Sequence, residues 1–155
     1  MTLDEYLRIG ETVELGRQTF DVEAIKAFAR AYDPQPFHVD EKLAEGTVFG
    51  RLCASGWHTV SVWMRLNVDE FSTNRRVWGG VGAEPQVGPS PGFENMRWPK
   101  PVYAGETVRY TRAATGHRRL ASRPGWRVVS LRGQAFDSTG TLVLDFDGAF
   151  FLKAA

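Results

Sequence analysis

Cysteines, histidines and long apolar runs are what this chain has least of. A single cysteine, Cys53, among 155 residues rules out an internal disulfide and fits a reducing compartment, so a cytoplasmic location is expected. The three histidines, His38, His58 and His117, show none of the carboxylate and histidine spacings of a metal site, and neither a metal nor another cofactor is expected. No apolar stretch approaches the roughly 18 residues that a membrane-spanning helix needs, because Arg, Asp or Gly interrupts each one. Asp4, Glu5 and Arg8 lie where an export signal would carry its apolar segment, so no such signal is expected. Repeats and low-complexity tracts are missing, and the Gly/Pro clusters are too short for interdomain linkers. Residues 1–155 therefore read as one domain. A formal net charge of only +1 argues against a nucleic-acid-binding surface.

What is present has a clear order. Gly10–Phe20 alternates apolar and polar residues as a strand does, and Asp21 then supplies an N-cap for a helix whose inward face is Val22, Ile25, Phe28, Ala29 and Tyr32. Asp33-Pro34 ends that helix, since a residue before proline avoids the helical region. The segment Asp33 to Asp40 is then a proline-bound bend, followed by one or two helical turns over 40–46. From Ser55 to Val68 the sequence is apolar on nearly every side with Arg65 its one charge, which predicts a buried helix capped by Ser55. After the Gly/Pro-rich stretch 79–92 come four segments rich in aromatic and β-branched residues, with Asp137-Ser138-Thr139-Gly140 as a hairpin turn. Short connections imply antiparallel pairing. The expected fold class is α+β, an antiparallel sheet covering one long apolar helix.

Charge is unevenly spread. Residues 1–49 are acidic, whereas residues 97–132 hold nine basic side chains against Glu106 alone. An arginine-rich edge of that kind could dock a phosphorylated ligand. It could equally be the solvated face of a strand.

The most informative segment is Asp33-Pro34-Gln35-Pro36-Phe37-His38-Val39-Asp40. A rigid bend puts a carboxylate and an imidazole within reach of one small cavity. There such a pair can move a proton, because histidine titrates near neutrality and a desolvated carboxyl can be shifted toward it. On spacing alone, the plainer alternative is that Asp33 ends a helix and His38 fills a loop hydrogen bond. His58 faces either a pocket or the core. Cys53 is expected to be a small apolar filler. The glycines of 79–88 are not followed by Gly-Lys-Ser/Thr and are expected to form a loop bordering the pocket. Trp57, Trp63 and Trp98 are candidates for an apolar wall, with core packing the default for each.

The run AFARAYDPQPFHVD, the later ASGWHT and the segment RWPKPVYAGETV together resemble the MaoC-like dehydratases and R-specific enoyl-CoA hydratases over most of the chain. Gln35 and Phe37 stand where that family usually has Asn and an aliphatic residue, which bears on substrate shape more than on chemistry. The resemblance implies the hot-dog fold, a long central helix wrapped by an antiparallel sheet. It implies Asp33 and His38 as the catalytic pair and the Gly56 N–H as the donor that polarises a thioester carbonyl. Ser61 falls where some members have a serine, although a helix hydroxyl bonding back to a carbonyl explains it as well. With Trp57 and His58 it completes the set of candidate substrate-binding residues. The implied activity is a hydro-lyase interconverting a trans-2-enoyl-CoA and a (3R)-3-hydroxyacyl-CoA. The basic stretch would then rim the coenzyme's phosphates, and a homodimer or higher homo-oligomer would be its assembly. Two other readings remain. A hot-dog acyl-CoA thioesterase would need an acid on the central helix, where none precedes Asp69. A non-catalytic acyl-thioester-binding module would need neither Asp33 nor His38.

Overall fold

The computed structural model describes residues 1–154. Its elements are α1 (Leu3–Leu7), β1 (Thr12–Thr19), α2 (Val22–Tyr32), α3 (Pro36–Val39), α4 (Glu41–Glu45), α5 (Gly56–Asn74), β2 (Gln86–Val87), β3 (Gly92–Arg97), β4 (Thr107–Arg119), β5 (Trp126–Phe136) and β6 (Leu142–Lys153). Local chemistry explains most of these boundaries. The Asp21 carboxylate accepts the Ala24 N–H at 2.8 Å and starts α2. Ile25 and Ala29, one turn apart, are wholly buried. Between β5 and β6, the Asp137 carboxylate accepts the N–H groups of Thr139 and Thr141 at 2.9 and 3.0 Å, which fixes the predicted hairpin turn.

The strands form one sheet in the order β1-β4-β5-β6, and β2 and β3 share the outer edge of β6. Every pairing is antiparallel. This curled sheet packs against α5, which touches β1, β4 and β6. Trp63 is the pivot of that packing: its indole Nε1 donates to the Thr111 carbonyl at 2.9 Å, and its ring meets Phe146 edge-on at 4.8 Å. Gly133 must be glycine for this contact, because a Cβ there would lie 2.2 Å from the Phe146 ring. The fold is the α+β hot-dog arrangement. Among the described residues no helix is long and apolar enough to cross a membrane.

Two expectations need correction. The central helix is longer than predicted, and it is not buried all round. Trp63 and Thr59 are 2% exposed, whereas Trp57, Met64 and Val68 are 50%, 50% and 51% exposed. One sheet layer covers only one side of a helix, so the second apolar stripe of α5 is left uncovered. The proline-bound bend, for its part, folds as one helical turn, α3, with Pro36 in the first-turn position where its missing N–H costs nothing.

Candidate active site

Asp33 caps the C-terminus of α2, its backbone N–H bonded to the Ala29 carbonyl at 2.8 Å, and Pro34 turns the chain away. This leaves the side chain aimed at the segment leading into α5. The Ser55 hydroxyl donates to Asp33 Oδ2 at 2.7 Å and the Gln35 amide donates to Oδ1 at 2.8 Å. Ser55 is fully buried, and its Oγ also accepts the Trp57 N–H at 3.3 Å, so one hydroxyl both caps α5 and holds the acid. Burial pushes the Asp33 pKa up, but the Ser55 and Gln35 bonds and the nearby His38 outweigh it and leave the carboxyl below its ordinary value. The upward shift considered from sequence is therefore not what the surroundings produce: Asp33 is a carboxylate at neutral pH.

His38 is 6% exposed and lies on α3. Its Nδ1 is 2.6 Å from the Cys53 carbonyl oxygen. A carbonyl can only accept, so Nδ1 carries a hydrogen, and in the neutral ring Nε2 holds the free lone pair. That Nε2 is 3.3 Å from Asp33 Oδ2. The ring is fixed further by an edge-on contact with Phe37 at 4.5 Å. Burial, with Asp33 adding a smaller push, raises the Cys53 thiol to about 11, which keeps it protonated and removes it as a nucleophile.

Asp33, His38 and Gly56 all line one cavity of about 320 Å³, together with Trp57, Trp98 and Lys100. Gly56 is the first residue of α5, and among the described residues its N–H has no hydrogen-bond partner. A helix start of this kind presents a free donor with partial positive charge. The residue is a glycine for a steric reason: the Trp98 ring lies on its Cα, where a Cβ would come within 2.5 Å of that ring, and Trp98 Nε1 donates to the Gly56 carbonyl at 3.0 Å. The cavity thus has an acid–imidazole pair, a free amide donor and a wall that includes Phe37, Phe49, Trp57 and Trp98. It can hold a polarised carbonyl and move a proton.

The other candidates separate. Trp57 lines this cavity, as does Trp98, whereas Trp63 belongs to the core. His58 does not reach it: the ring stacks on Phe28 at 4.6 Å and meets Phe20 edge-on at 4.9 Å, and its Nδ1 is buried without a partner. Burial lowers the His58 pKa, and the Asp21 carboxylate offsets only part of that. Ser61 is exposed and donates back to the Trp57 carbonyl at 2.7 Å, the structural alternative considered for it. The basic stretch is also largely committed elsewhere. Arg97 and Arg132 pair with Asp145, Arg112 with Glu70, Arg109 with Glu14 and Lys100 with Asp137. Arg118 and Arg119, which have no ion pair among the described residues, close the end of β4 remote from the cavity. In the sequence, Ser55 reads only as a cap and Gln35 only as a departure from a pattern. Their bonds to Asp33 are contacts that spacing does not signal.

Comparison with known proteins agrees with this architecture. A family model described as "MaoC like domain" matches residues 7–126. The uncharacterized protein YdeM of Bacillus subtilis (strain 168) is 30% identical over 108 residues, covering 70% of this chain and 69% of the relative. Among solved structures, a MaoC-like dehydratase from Rhodospirillum rubrum superposes with a TM-score of 0.75 at 28% identity, over 100% of this chain and 98% of that one. An (R)-hydratase from A. caviae involved in PHA biosynthesis superposes with a TM-score of 0.69 at 20% identity, over 95% and 96%, a likeness of fold. Because the family model matches residues 7–126, which take in the bend with Asp33 and His38, all of α5 and strands β1 to β4, the chain belongs to the MaoC-like family of hot-dog dehydratases and hydratases.

Proposed function

We propose that this chain is an acyl-CoA hydratase/dehydratase, a hydro-lyase that reversibly adds water to a trans-2-enoyl-CoA to give a (3R)-3-hydroxyacyl-CoA. The observation that carries the proposal is the 3.3 Å approach of Asp33 Oδ2 and His38 Nε2 on the wall of a cavity shared with the Gly56 N–H. Both atoms are acceptors when His38 is neutral. A water placed against them donates one hydrogen to each and turns a lone pair toward the substrate's C3. As the new C–O bond forms, the water's proton passes to Nε2 and the C2=C3 electrons move toward the thioester carbonyl. The Gly56 N–H stabilises the charge that develops on that carbonyl oxygen, and it acts most strongly in the transition state. Nε2–H then delivers the proton to C2, which balances the addition. Asp33 stays ionised throughout, consistent with its lowered pKa, and offsets the charge of the imidazolium.

The (3R) outcome is supported by the resemblance and by the likeness of fold to the A. caviae (R)-hydratase. A homodimer is supported by the uncovered stripe of α5, where three large apolar side chains are half exposed. The buried thiol of Cys53 fits a reducing, cytoplasmic setting. The thioesterase reading is weaker: the buried acid of α5, Glu70, is paired with Arg112 at 2.8 Å and does not line the reaction cavity.

Incubation with but-2-enoyl-CoA separates the readings. Hydration removes the conjugated thioester absorbance without free thiol, a thioesterase releases thiol, and a binding module changes neither. Asp33→Asn and His38→Ala should each lower kcat about 10²–10⁴-fold, the usual contribution of a positioned acid–base group, with circular dichroism unchanged. Wild-type rates in both variants refute the assignment.

A further inference from the structure

We infer that Arg119 and Arg127, at the hairpin end of the β4–β5 pair, form a binding site for a phosphate dianion, taken as the inorganic ion or as the phosphomonoester of a larger ligand. The inference is independent of the hydration reading. The register sets Arg119 directly opposite Arg127, so the two side chains share one face of the sheet, with Cβ atoms about 5 Å apart. Two like charges in that relation oppose folding. Elsewhere on the same strands the arginines are neutralised: Arg109 meets Glu14, Arg112 meets Glu70 and Arg132 meets Asp145. Arg119 and Arg127 have no ion pair among the described residues. The carboxylate that reaches this end of the sheet is that of Asp4, and it is taken up by His117, whose Nε2 lies 2.9 Å from Asp4 Oδ1.

Arg127 is fixed in place with donors to spare. Its Nη1 lies 3.1 Å from His117 Nδ1, and a guanidinium can only donate, so that nitrogen carries no hydrogen and Nε2–H makes the bond to Asp4. Arg127 Nε is buried without a partner, and the exposed Arg119 guanidinium makes no hydrogen bond among the described residues. A buried donor left unpaired costs more than an ordinary hydrogen bond gains, so its presence beside a second arginine points to an acceptor from outside the chain. Two forks facing each other across a strand pair suit a tetrahedral acceptor whose oxygens point several ways, and a phosphate charge of about −2 matches both guanidiniums. A planar carboxylate offers two oxygens to one side and a single charge. On the other face of the strands, Arg118, Arg123 and Lys153 add to the positive field: the register places Lys153 opposite Trp126, and the Arg123 guanidinium lies 4.3 Å over that ring.

The test is calorimetric titration of the wild type, Arg119→Gln, Arg119→Lys and Arg127→Gln with inorganic phosphate, at constant ionic strength so that charge screening stays fixed. The wild type should bind phosphate saturably at millimolar concentration or below. Arg119→Gln and Arg127→Gln should each weaken binding about tenfold, the loss of one charge-assisted contact. Arg119→Lys, which keeps the charge without the fork, should fall between. In phosphate-free buffer Arg119→Gln should raise the melting temperature by about 1–2 °C, because the like-charge opposition is gone. Excess phosphate should reverse that order and leave the wild type the more stable. Arg119 is exposed, so its variants carry the test should Arg127→Gln fail to fold. Titration with CoA and dephospho-CoA, which differ by one phosphomonoester, identifies the source: a larger loss for CoA in Arg119→Gln assigns the phosphate to the coenzyme, and equal effects on the two assign it to a separate ligand. Absence of saturable phosphate binding, folded glutamine variants that bind as tightly as the wild type, or a lower melting temperature of Arg119→Gln without phosphate overturns the inference.

Discussion

Ser55→Ala tests how the site and the fold share one hydroxyl. In the wild type, Ser55 Oγ accepts the Trp57 N–H at the start of α5 and donates to Asp33 Oδ2 at 2.7 Å. Losing the cap costs about 1 kcal/mol. Losing a hydrogen bond to a charged, partly buried acceptor costs roughly 1.5–3 kcal/mol, and the lower end applies because the Gln35 amide still holds Oδ1. The variant should therefore unfold in urea with a deficit of about 2–3 kcal/mol at neutral pH. The deficit should depend on pH with a definite sign. The Asp33 carboxyl titrates below its ordinary value of 3.8 in the folded state, so the stabilisation of its ionised form is complete above that value and disappears as pH falls through the folded one. On acidification the gap between wild type and Ser55→Ala should shrink to the cap alone. In turnover, removing a bond that lowers the Asp33 pKa should move the acidic limb of the rate profile to higher pH. A deficit below about 0.5 kcal/mol, or one equally large at pH 7 and under acid conditions, would refute the claim that Ser55 holds an ionised Asp33.

Two further outcomes follow from close packing. Gly56→Ala, a change that usually favours a helix, should here destabilise by roughly 1–3 kcal/mol and suppress turnover, since the new methyl overlaps the Trp98 ring that fixes the donor; stability equal to wild type in denaturant unfolding would contradict that contact. Tyr110→Phe should be neutral or stabilising by thermal unfolding, because the Tyr110 hydroxyl is fully buried without a partner and its removal leaves only apolar surface. A loss above about 1 kcal/mol would instead reveal a bond to that hydroxyl.

The sequence is most legible where a local pattern and a tertiary need coincide. Helix α2 could be read because its cap, its apolar period and its terminating proline all lie within fourteen residues and agree; the structure keeps the cap and the stop, and the inward face through Ala29, but Tyr32, expected on that face, is 76% exposed. The hairpin at Asp137–Gly140 is legible for the same reason. The bend carrying Asp33 and His38 was visible as chemistry, although its helical form was not, since a single helical turn between prolines leaves no period to count. Apart from the local bond of Gln35 to Asp33, the contacts that escaped reading depend on pairings across the chain. The Ser55 bond spans 22 residues and the Trp98 bond to Gly56 spans 42, and neither alters any spacing in its own segment.

Periodicity also fails in a more instructive way along α5. Apolar groups on nearly every side led to the expectation of a helix buried all round, yet a pattern records only which positions shun water, not what covers them. One stripe of α5, centred on Trp63, is covered by this chain's own sheet; a second, running through Trp57, Met64 and Val68, is not. The same limit applies to the arginines of 97–132, whose number suggested a phosphate rim. Asp145 alone draws in both Arg97 and Arg132, and its own pKa falls to about 2 as a result, the Arg132 bond contributing most. An arginine spent on a buried carboxylate in this way is no longer free for a ligand, so a count of charges overstates the anion-binding capacity of a strand face wherever the facing strand carries acids. Here β6 carries Asp145 and Asp147, placed opposite Gln134 and Arg132 by the register of the sheet, and that register, rather than composition, determines which cations remain for a substrate.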